Sequence, residues 1–158
     1  MSREIILKGK YGGIALVDDD DYLKVKDYNW VMAKEGYVFF GKYNSGKRTR
    51  ILLHRLIMRT PKGYFTDHRN HNRLDNRKEN LRVCTAAQNS FNRLKSSKIL
   101  GYKGIYFNKD KQKWRADIHA YGKRIFLGLF ESDIIAAKAY DIAAKKYHKE
   151  FAQTNFDT

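Results

Sequence analysis

Between Tyr64 and Asn92 the sequence has room for little besides a small hairpin closed by a helix. Tyr64-Phe65-Thr66-Asp67 and Leu81-Arg82-Val83-Cys84 are short strand-like runs, and the stretch between them is rich in Asn and Arg, the composition of a polar loop. Thr85 followed three residues later by Gln88 has the spacing of a capping box, so a helix is expected to begin there and run through Phe91 towards Leu94. Strand, loop, strand and helix in that order bring Asp67, His68 and Asn89 within reach of one another, while Asn80 is placed to hydrogen-bond across the loop.

The side chains gathered this way suit phosphodiester cleavage, which needs a hard cation on the phosphate, a base for water and a scaffold that holds both. The Asp67 carboxylate and the Asn89 carbonyl are oxygen donors, and a single cysteine excludes a thiolate cage, so Mg²⁺ or Mn²⁺ is expected rather than structural zinc. His68 adjoins Asp67, and an ordinary imidazole pKa of about 6.5 leaves much of it neutral at cellular pH. It is the expected general base. His54 lies in the apolar run Ile51 to Met58 and reads as a core histidine, and Cys84 reads as a small buried hydrophobe.

Leu53-His54-Arg55-Leu56, then Asp67-His68, then Leu74-Asp75-Asn76-Arg77-Lys78-Glu79-Asn80-Leu81-Arg82, resembles phage-type HNH homing endonucleases, over roughly residues 50 to 93. The resemblance implies a ββα-metal fold in which Asp67 and Asn89 bind the metal, His68 is the catalytic base and Asn80 fixes the loop that carries it. Asn89 stands where many of these enzymes have His, as in the asparagine-ligand branch.

Charge agrees with a nucleic-acid partner. Lys and Arg number 32 against 17 Asp and Glu, a net +15, with 14 basic and only 3 acidic side chains between residues 42 and 95. Binding to phosphates should therefore fall with salt whatever the base sequence. A basic balance alone would also fit an RNA-binding protein. No apolar run is long enough for a membrane span, no secretory pattern opens the chain, and one cysteine gives no disulfide framework; a cytoplasmic setting, in a bacterial or phage-infected host cell, is expected, with no obligatory protein partner.

At 158 residues the chain suits two small domains, expected at 1–95 and 96–158 with the linker at Ser96-Ser97-Lys98. The first sixty residues are strand-like over Gly13 to Val17, Gly36 to Tyr43 and Lys47 to His54, with Asn44-Ser45-Gly46 as a turn. Lys47, Arg48 and Arg50, with Arg69 and Arg73 of the loop, are candidate DNA contacts. The acidic run Asp18 to Asp21 reads as a solvated turn or helix start. Beyond the linker, Tyr102 to Phe107, Trp114 to Ala120 and Lys123 to Phe130 read as strands, and Ser132 as the cap of a helix to about Lys149 that packs through Ile135, Ala139, Ile142 and Ala143 with Ala136, Tyr140 and Tyr147 alongside. Trp114, Ala116, Ile118 and Ala120 share one face of the middle strand, and Lys113, Arg115, Asp117 and His119 the other.

Gly101-Tyr102-Lys103-Gly104-Ile105, Lys113-Trp114-Arg115-Ala116, Lys123-Arg124-Ile125-Phe126-Leu127-Gly128, Ala136-Ala137-Lys138-Ala139-Tyr140-Asp141 and Asn155-Phe156 resemble the ethylene-response-factor (apetala-two) DNA-binding domain. The resemblance implies a three-stranded sheet in the major groove, with Lys103, Tyr106, Arg115, His119, Arg124 and Phe126 near DNA. The face holds few arginines, which favours phosphate contact and shape over base readout. The fold class expected is α+β: a ββα-metal nuclease with a β-rich N-terminal part, then a three-stranded antiparallel sheet packed on one helix. The function expected is a metal-dependent DNA endonuclease with a separate module for holding double-stranded DNA. A non-catalytic DNA-binding regulator and an RNA-binding accessory protein are the alternatives.

Overall fold

A computed structural model describes residues 1–44, 46–94 and 101–156 of the chain. It divides into two compact units, Met1–Asn89 and Ser90–Thr158. The expected linker, Ser96 to Lys98, and Ser45 of the expected turn lie outside the described residues. The class is α+β.

In the first unit, β1 (Ser2–Ile6) pairs antiparallel with β2 (Ile14–Asp18), which runs into α1 (Asp19–Val25). A second sheet has the order β3 (Val31–Met32), β4 (Val38–Asn44), β5 (Lys47–Leu52), and α2 (Leu53–Ile57) follows directly. Then come the antiparallel pair β6 (Phe65–His68) and β7 (Leu81–Cys84), and α3 (Ala86–Phe91). Ile5, Leu7, Ala15, Val17, Val25, Trp30, Val38, Leu53, Ile57 and Leu81 form one core, so α2 and β7 are anchored by the same apolar cluster as the N-terminal strands.

Two expectations are corrected here. The strand expected over Lys47 to His54 stops at Leu52, because Leu53, His54 and Ile57 are buried together while Arg55 and Leu56 are not, a helical spacing rather than an alternating one. The acidic run does start a helix, but it is not simply solvated. Asp18 Oδ2 accepts the backbone N–H of Lys78 at 2.8 Å, and Asp21, 2% exposed, pairs with Lys24 at 2.9 Å and Lys78 at 2.7 Å. Two ammonium partners offset the desolvation of one carboxylate and tie α1 to the loop between β6 and β7. Strand β1 carried no reading in the sequence.

The second unit is a sheet of order β10 (Lys123–Phe130), β9 (Lys113–Ala120), β8 (Ile105–Asn108), antiparallel throughout with a bulge between Phe126 and Gly128, followed by α4 (Asp133–His148). Ser132 caps α4, its hydroxyl accepting from the N–H of Ile135 at 3.2 Å. The helix packs through Ala136, Ala137, Tyr140, Ala143 and Ala144, whereas Ile135 and Ile142 of the expected stripe are 52% and 72% exposed. The sheet already supplies bulk in Ile118, Ile125 and Leu127, so small side chains on the helix allow close approach.

Gly104 marks that closeness. Its φ is +75°, and a Cβ there would lie 2.3 Å from the Tyr140 ring and 2.7 Å from the carbonyl of Asp117. Gly104→Ala should destabilise the second unit by about 2 kcal/mol or more, from overpacking and left-handed strain together, read as a lower urea midpoint. No helix among the described residues is long and apolar enough to cross a membrane.

Candidate active site

The β6–β7 register sets Asp67 opposite Arg82 and His68 opposite Leu81. Both Asp67 and Arg82 are buried, and the guanidinium Nε and Nη2 donate to Asp67 Oδ2 at 2.8 and 2.7 Å. Charge-assisted bonds to one oxygen hold the carboxylate in place on the strand. His68 is buried as well, its Nε2 3.4 Å from Asn76 Oδ1.

Loop 69–80 is held by its own polar groups. Asn80 Oδ1 accepts the N–H of Asn70 at 3.0 Å, its Nδ2 donates to the carbonyl of Asp75 at 2.7 Å, and its carbonyl accepts from Arg69 N–H at 2.8 Å. Asp75 receives Arg77 Nε and Nη2 at 2.8 Å each and Asn70 Nδ2 at 3.1 Å, which holds its carboxyl below the ordinary range. His71 adopts φ +63° at the turn, a conformation tolerated in such a stitched loop. The loop is docked on β2 by Leu16 N–H to the Leu74 carbonyl and Asn76 N–H to the Leu16 carbonyl, both 2.8 Å.

Behind His68 stands a ring wall. His54 of α2 meets it edge-on at 5.1 Å between centroids, Tyr37 lies 5.3 Å from His54, and the Arg73 guanidinium sits 4.3 Å over Tyr37 while donating to the Glu35 carbonyl. Burial lowers the pKa of His68, partly opposed by Asn76, Asp67 and Asp75, so the ring is neutral near pH 7. His54, its Nδ1 buried without a hydrogen-bond partner, is pushed down to about 3, first by burial and then by the charge of His68.

That depression has a consequence for stability. The unfolded histidine, at about 6.5, binds a proton that the folded one rejects, so His54 stabilises nothing extra above pH 6.5 but penalises folding as pH falls from there towards 3, by up to about 1.4 kcal/mol per pH unit. His68 acts in the same direction. Urea midpoints should drop between about pH 7 and about pH 5, and the drop should be shallower in His54→Gln.

Thr85 and Gln88 form the capping box: Gln88 N–H donates to Thr85 Oγ1 at 3.3 Å, and Gln88 Oε1 accepts Thr85 N–H at 2.9 Å. Asn89 follows one turn on, half-buried, its N–H on the Thr85 carbonyl at 3.0 Å. Because Cys84 pairs with Phe65, α3 departs two rungs from Asp67 on the same hairpin. Among the described residues no three His, Cys, Asp or Glu side chains gather as a metal cage. One carboxylate and one amide carbonyl are instead a donor set that fits a hard cation retaining waters. Cys84 is buried, its thiol pushed up to about 11 by burial, and unsuited to nucleophilic work.

Sequence reasoning named Asp67, His68, Asn80 and Asn89 but gave no role to Arg82, Asn76 or Tyr37. Arg82 was within reach, since any pairing of the two strands sets it near Asp67. Of the expected DNA contacts, Lys47, Arg50, Arg69 and Arg73 are exposed, with Arg50 4.7 Å over Phe39; the side chain of Arg48 lies outside the described residues. In the second unit, Tyr106, His119, Arg124 and Phe126 are exposed on the sheet with Arg115 among them. Asp117, buried on that face, organises it: it accepts from Tyr106 Oη at 2.7 Å and from Arg115 Nε at 3.1 Å, and the Arg115 guanidinium lies 4.7 Å over Phe126. Arg124 Nε reaches His119 Nε2 at 3.4 Å. The ammonium of Lys103 is half-buried on the carbonyls of Phe91 and Arg93, at 2.7 and 2.9 Å, and burial pushes its pKa down to about 8.

The HNH endonuclease family model matches residues 52–91, the span from α2 through α3. An uncharacterized HNH endonuclease, L560, of Acanthamoeba polyphaga mimivirus is 32% identical over 154 residues, covering 94% of this chain and 77% of that protein. The AP2-like ethylene-responsive transcription factor TOE2 of Arabidopsis thaliana is 39% identical over 60 residues, 38% of this chain but only 12% of the plant protein. A solved structure of the HNH homing endonuclease I-HmuI, described for DNA binding and cleavage, overlays with a TM-score of 0.39 at 23% identity, over 62% of this chain and 63% of that one, a likeness too loose to carry an argument. The family match on the hairpin and the mimivirus relative over nearly the whole length lead to one conclusion: the chain belongs to the HNH endonuclease family.

Proposed function

We propose that the chain hydrolyses DNA phosphodiesters at the β6–β7 hairpin and holds duplex DNA on the outer face of β8–β10. The observation that carries the reading is a buried histidine adjoining a buried carboxylate on one strand, in the segment matched by the family model.

HNH nucleases generally use a divalent metal, and we assign Mg²⁺ or Mn²⁺ to Asp67 and Asn89 on donor chemistry. When bound, such an ion supplies charge stabilisation at the scissile phosphate and the leaving oxygen. His68 takes the proton of the attacking water, and burial keeps it neutral for that task. Arg82 holds the Asp67 carboxylate, and Asn80 holds loop 69–80 next to the base. Lys47, Arg48, Arg50, Arg69 and Arg73 are assigned to backbone phosphates on the nuclease unit, residues 1–95 in this reading.

For residues 96–158 we assign an apetala-two-like DNA-binding role, supported by the similarity to the plant factor and by the exposed aromatic and basic face. Tyr106, Arg115, His119, Arg124 and Phe126 are its contacts. Arg115 is preorganised by Asp117 and Phe126, whereas Arg124 Nε reaches a histidine at 3.4 Å, so Arg124 is the cleaner probe. Arg124→Ala should weaken duplex binding and lower the slope of log affinity against log salt by about 1, without changing the cleavage rate of bound DNA. An unchanged slope would remove the sheet face from the DNA path. The same similarity favours a second reading, a DNA-binding regulator that does not cut; it requires binding with no hydrolysis under any divalent metal.

A further inference from the structure

Helix α2 ends against the preference of its sequence. Thr60 N–H donates to the Arg55 carbonyl at 3.1 Å and Arg59 N–H to the Leu56 carbonyl at 3.3 Å, a pair of bonds that turns the chain off a helix through one left-handed residue, usually glycine. Here that residue is Arg59, at φ +46°. An arginine is strained in this conformation, and what it adds over glycine is a side chain. That side chain lines a cleft of about 460 Å³ between α1 and α2 together with Asp21, Lys24 and Lys78, over a floor that includes the buried Val25 and Ile57. Among the described residues the Arg59 guanidinium has no ion-pair partner.

The other charges of the cleft are held ready. Lys24 Nζ donates to Asp21 Oδ1 at 2.9 Å and Lys78 Nζ to Asp21 Oδ2 at 2.7 Å, so one buried carboxylate sets two ammonium groups beside each other, each with N–H donors left for another acceptor. The lining carries three positive side chains against one negative, and Asp18 and Asp20, the other carboxylates that act on Lys78, lie outside it. A cation would be repelled there. A phosphate would find donors on three side chains, and the sugar attached to it an apolar floor. Lys78 stands on loop 69–80, the loop that Asn80 ties together next to His68. We propose that this cleft binds a phosphate of DNA other than the scissile one, with its deoxyribose against Val25 and Ile57. The proposal rests on the reading of the first unit as a DNA-holding nuclease and adds an anchor built from residues outside the set assigned to phosphates above. A free nucleotide carries the same phosphate on a sugar, and the titration below separates the two sources.

Binding is read in EDTA, where no metal-dependent cleavage intervenes. In the full chain labelled at its methionine methyls, the signal missing from Met58→Leu reports on the cleft that Met58 lines. A short duplex should shift that signal, and thymidine monophosphate should shift it less. A shift with the nucleotide and none with the duplex would make a free nucleotide the source of the phosphate; no shift with either would overturn the proposal. Arg59→Gly keeps the turn and relieves its backbone, so the urea midpoint should hold while duplex affinity falls by about 5- to 10-fold near physiological salt and the slope of log affinity against log salt drops by about 1. Arg59→Lys, which keeps the charge, should retain most of the affinity. Native affinity and slope in Arg59→Gly would overturn the anchor. Failure of the nuclease reading looks different: the methyl shift and the Arg59→Gly loss would both appear in EDTA, yet the native chain would cut nothing in Mg²⁺ or Mn²⁺.

Discussion

Replacing His68 by alanine should lower the rate of DNA cleavage by about 10²- to 10⁴-fold, the usual share of a positioned general base, while duplex binding stays at the native level. The separation follows from placement. His68 is buried on β6 among His54, Tyr37 and Asn76, whereas Lys47, Arg50, Arg69, Arg73, Tyr106, His119, Arg124 and Phe126, assigned to DNA, are exposed. Truncation also leaves a cavity beside His54, so the comparison belongs well below the melting temperature of the variant, with circular dichroism confirming the fold. Equal loss of binding and cutting in gel-shift and nicking assays would deny His68 a specific role.

Asp67→Ala should fail twice over. The substitution removes the expected cation ligand, and it leaves the buried Arg82 guanidinium without the carboxylate that takes two of its bonds. Breaking a buried pair from one side costs about 3–5 kcal/mol, a large part of the 5–15 kcal/mol typical of a whole protein. Asp67→Asn keeps an oxygen for Arg82 and should fold nearly as the native chain does, yet cleave poorly because the negative ligand is gone. Pairing Asp67→Ala with Arg82→Leu should restore the urea midpoint but not the activity, since two apolar groups replace an ion pair without leaving a charge stranded. If Asp67→Asn cleaves at the native rate, the carboxylate is not a ligand.

Much of this could be read from the chain alone, where local rules dominate. The hairpin strands, the Thr85–Gln88 capping box, the Ser132 cap and the three strands of the second unit depend on alternation and on near-neighbour hydrogen bonds, and they appear within a residue or two of their expected bounds except for β8, which begins three residues late at Ile105. What was not legible depends on contacts far apart in sequence. Asp21 is buried because Lys78 meets it from a distant loop, and Asn76 is fixed because its backbone pairs with Leu16 of β2. Ile135 and Ile142 look like a packing stripe, yet the sheet's own bulk turns the alanines inward. Lys103 looks like a groove residue by position, but its ammonium is taken by two carbonyls. At the expected site, Asp67, His68 and Asn89 stand out because the proposed chemistry calls for those types; the side chains bonded to Asp67 and His68 are ordinary Arg and Asn, recognisable only once the pairing is known.

The most direct test of the account is incubation of the purified chain with supercoiled plasmid and phage DNA at low salt, in Mg²⁺, in Mn²⁺ and in EDTA, followed by measurement of nicked and linear products. Cutting in at least one metal and none in EDTA is the expected result. Undiminished cutting in EDTA, or intact DNA in both metals while gel shifts show it bound, would contradict a metal-dependent nuclease centred on Asp67 and His68.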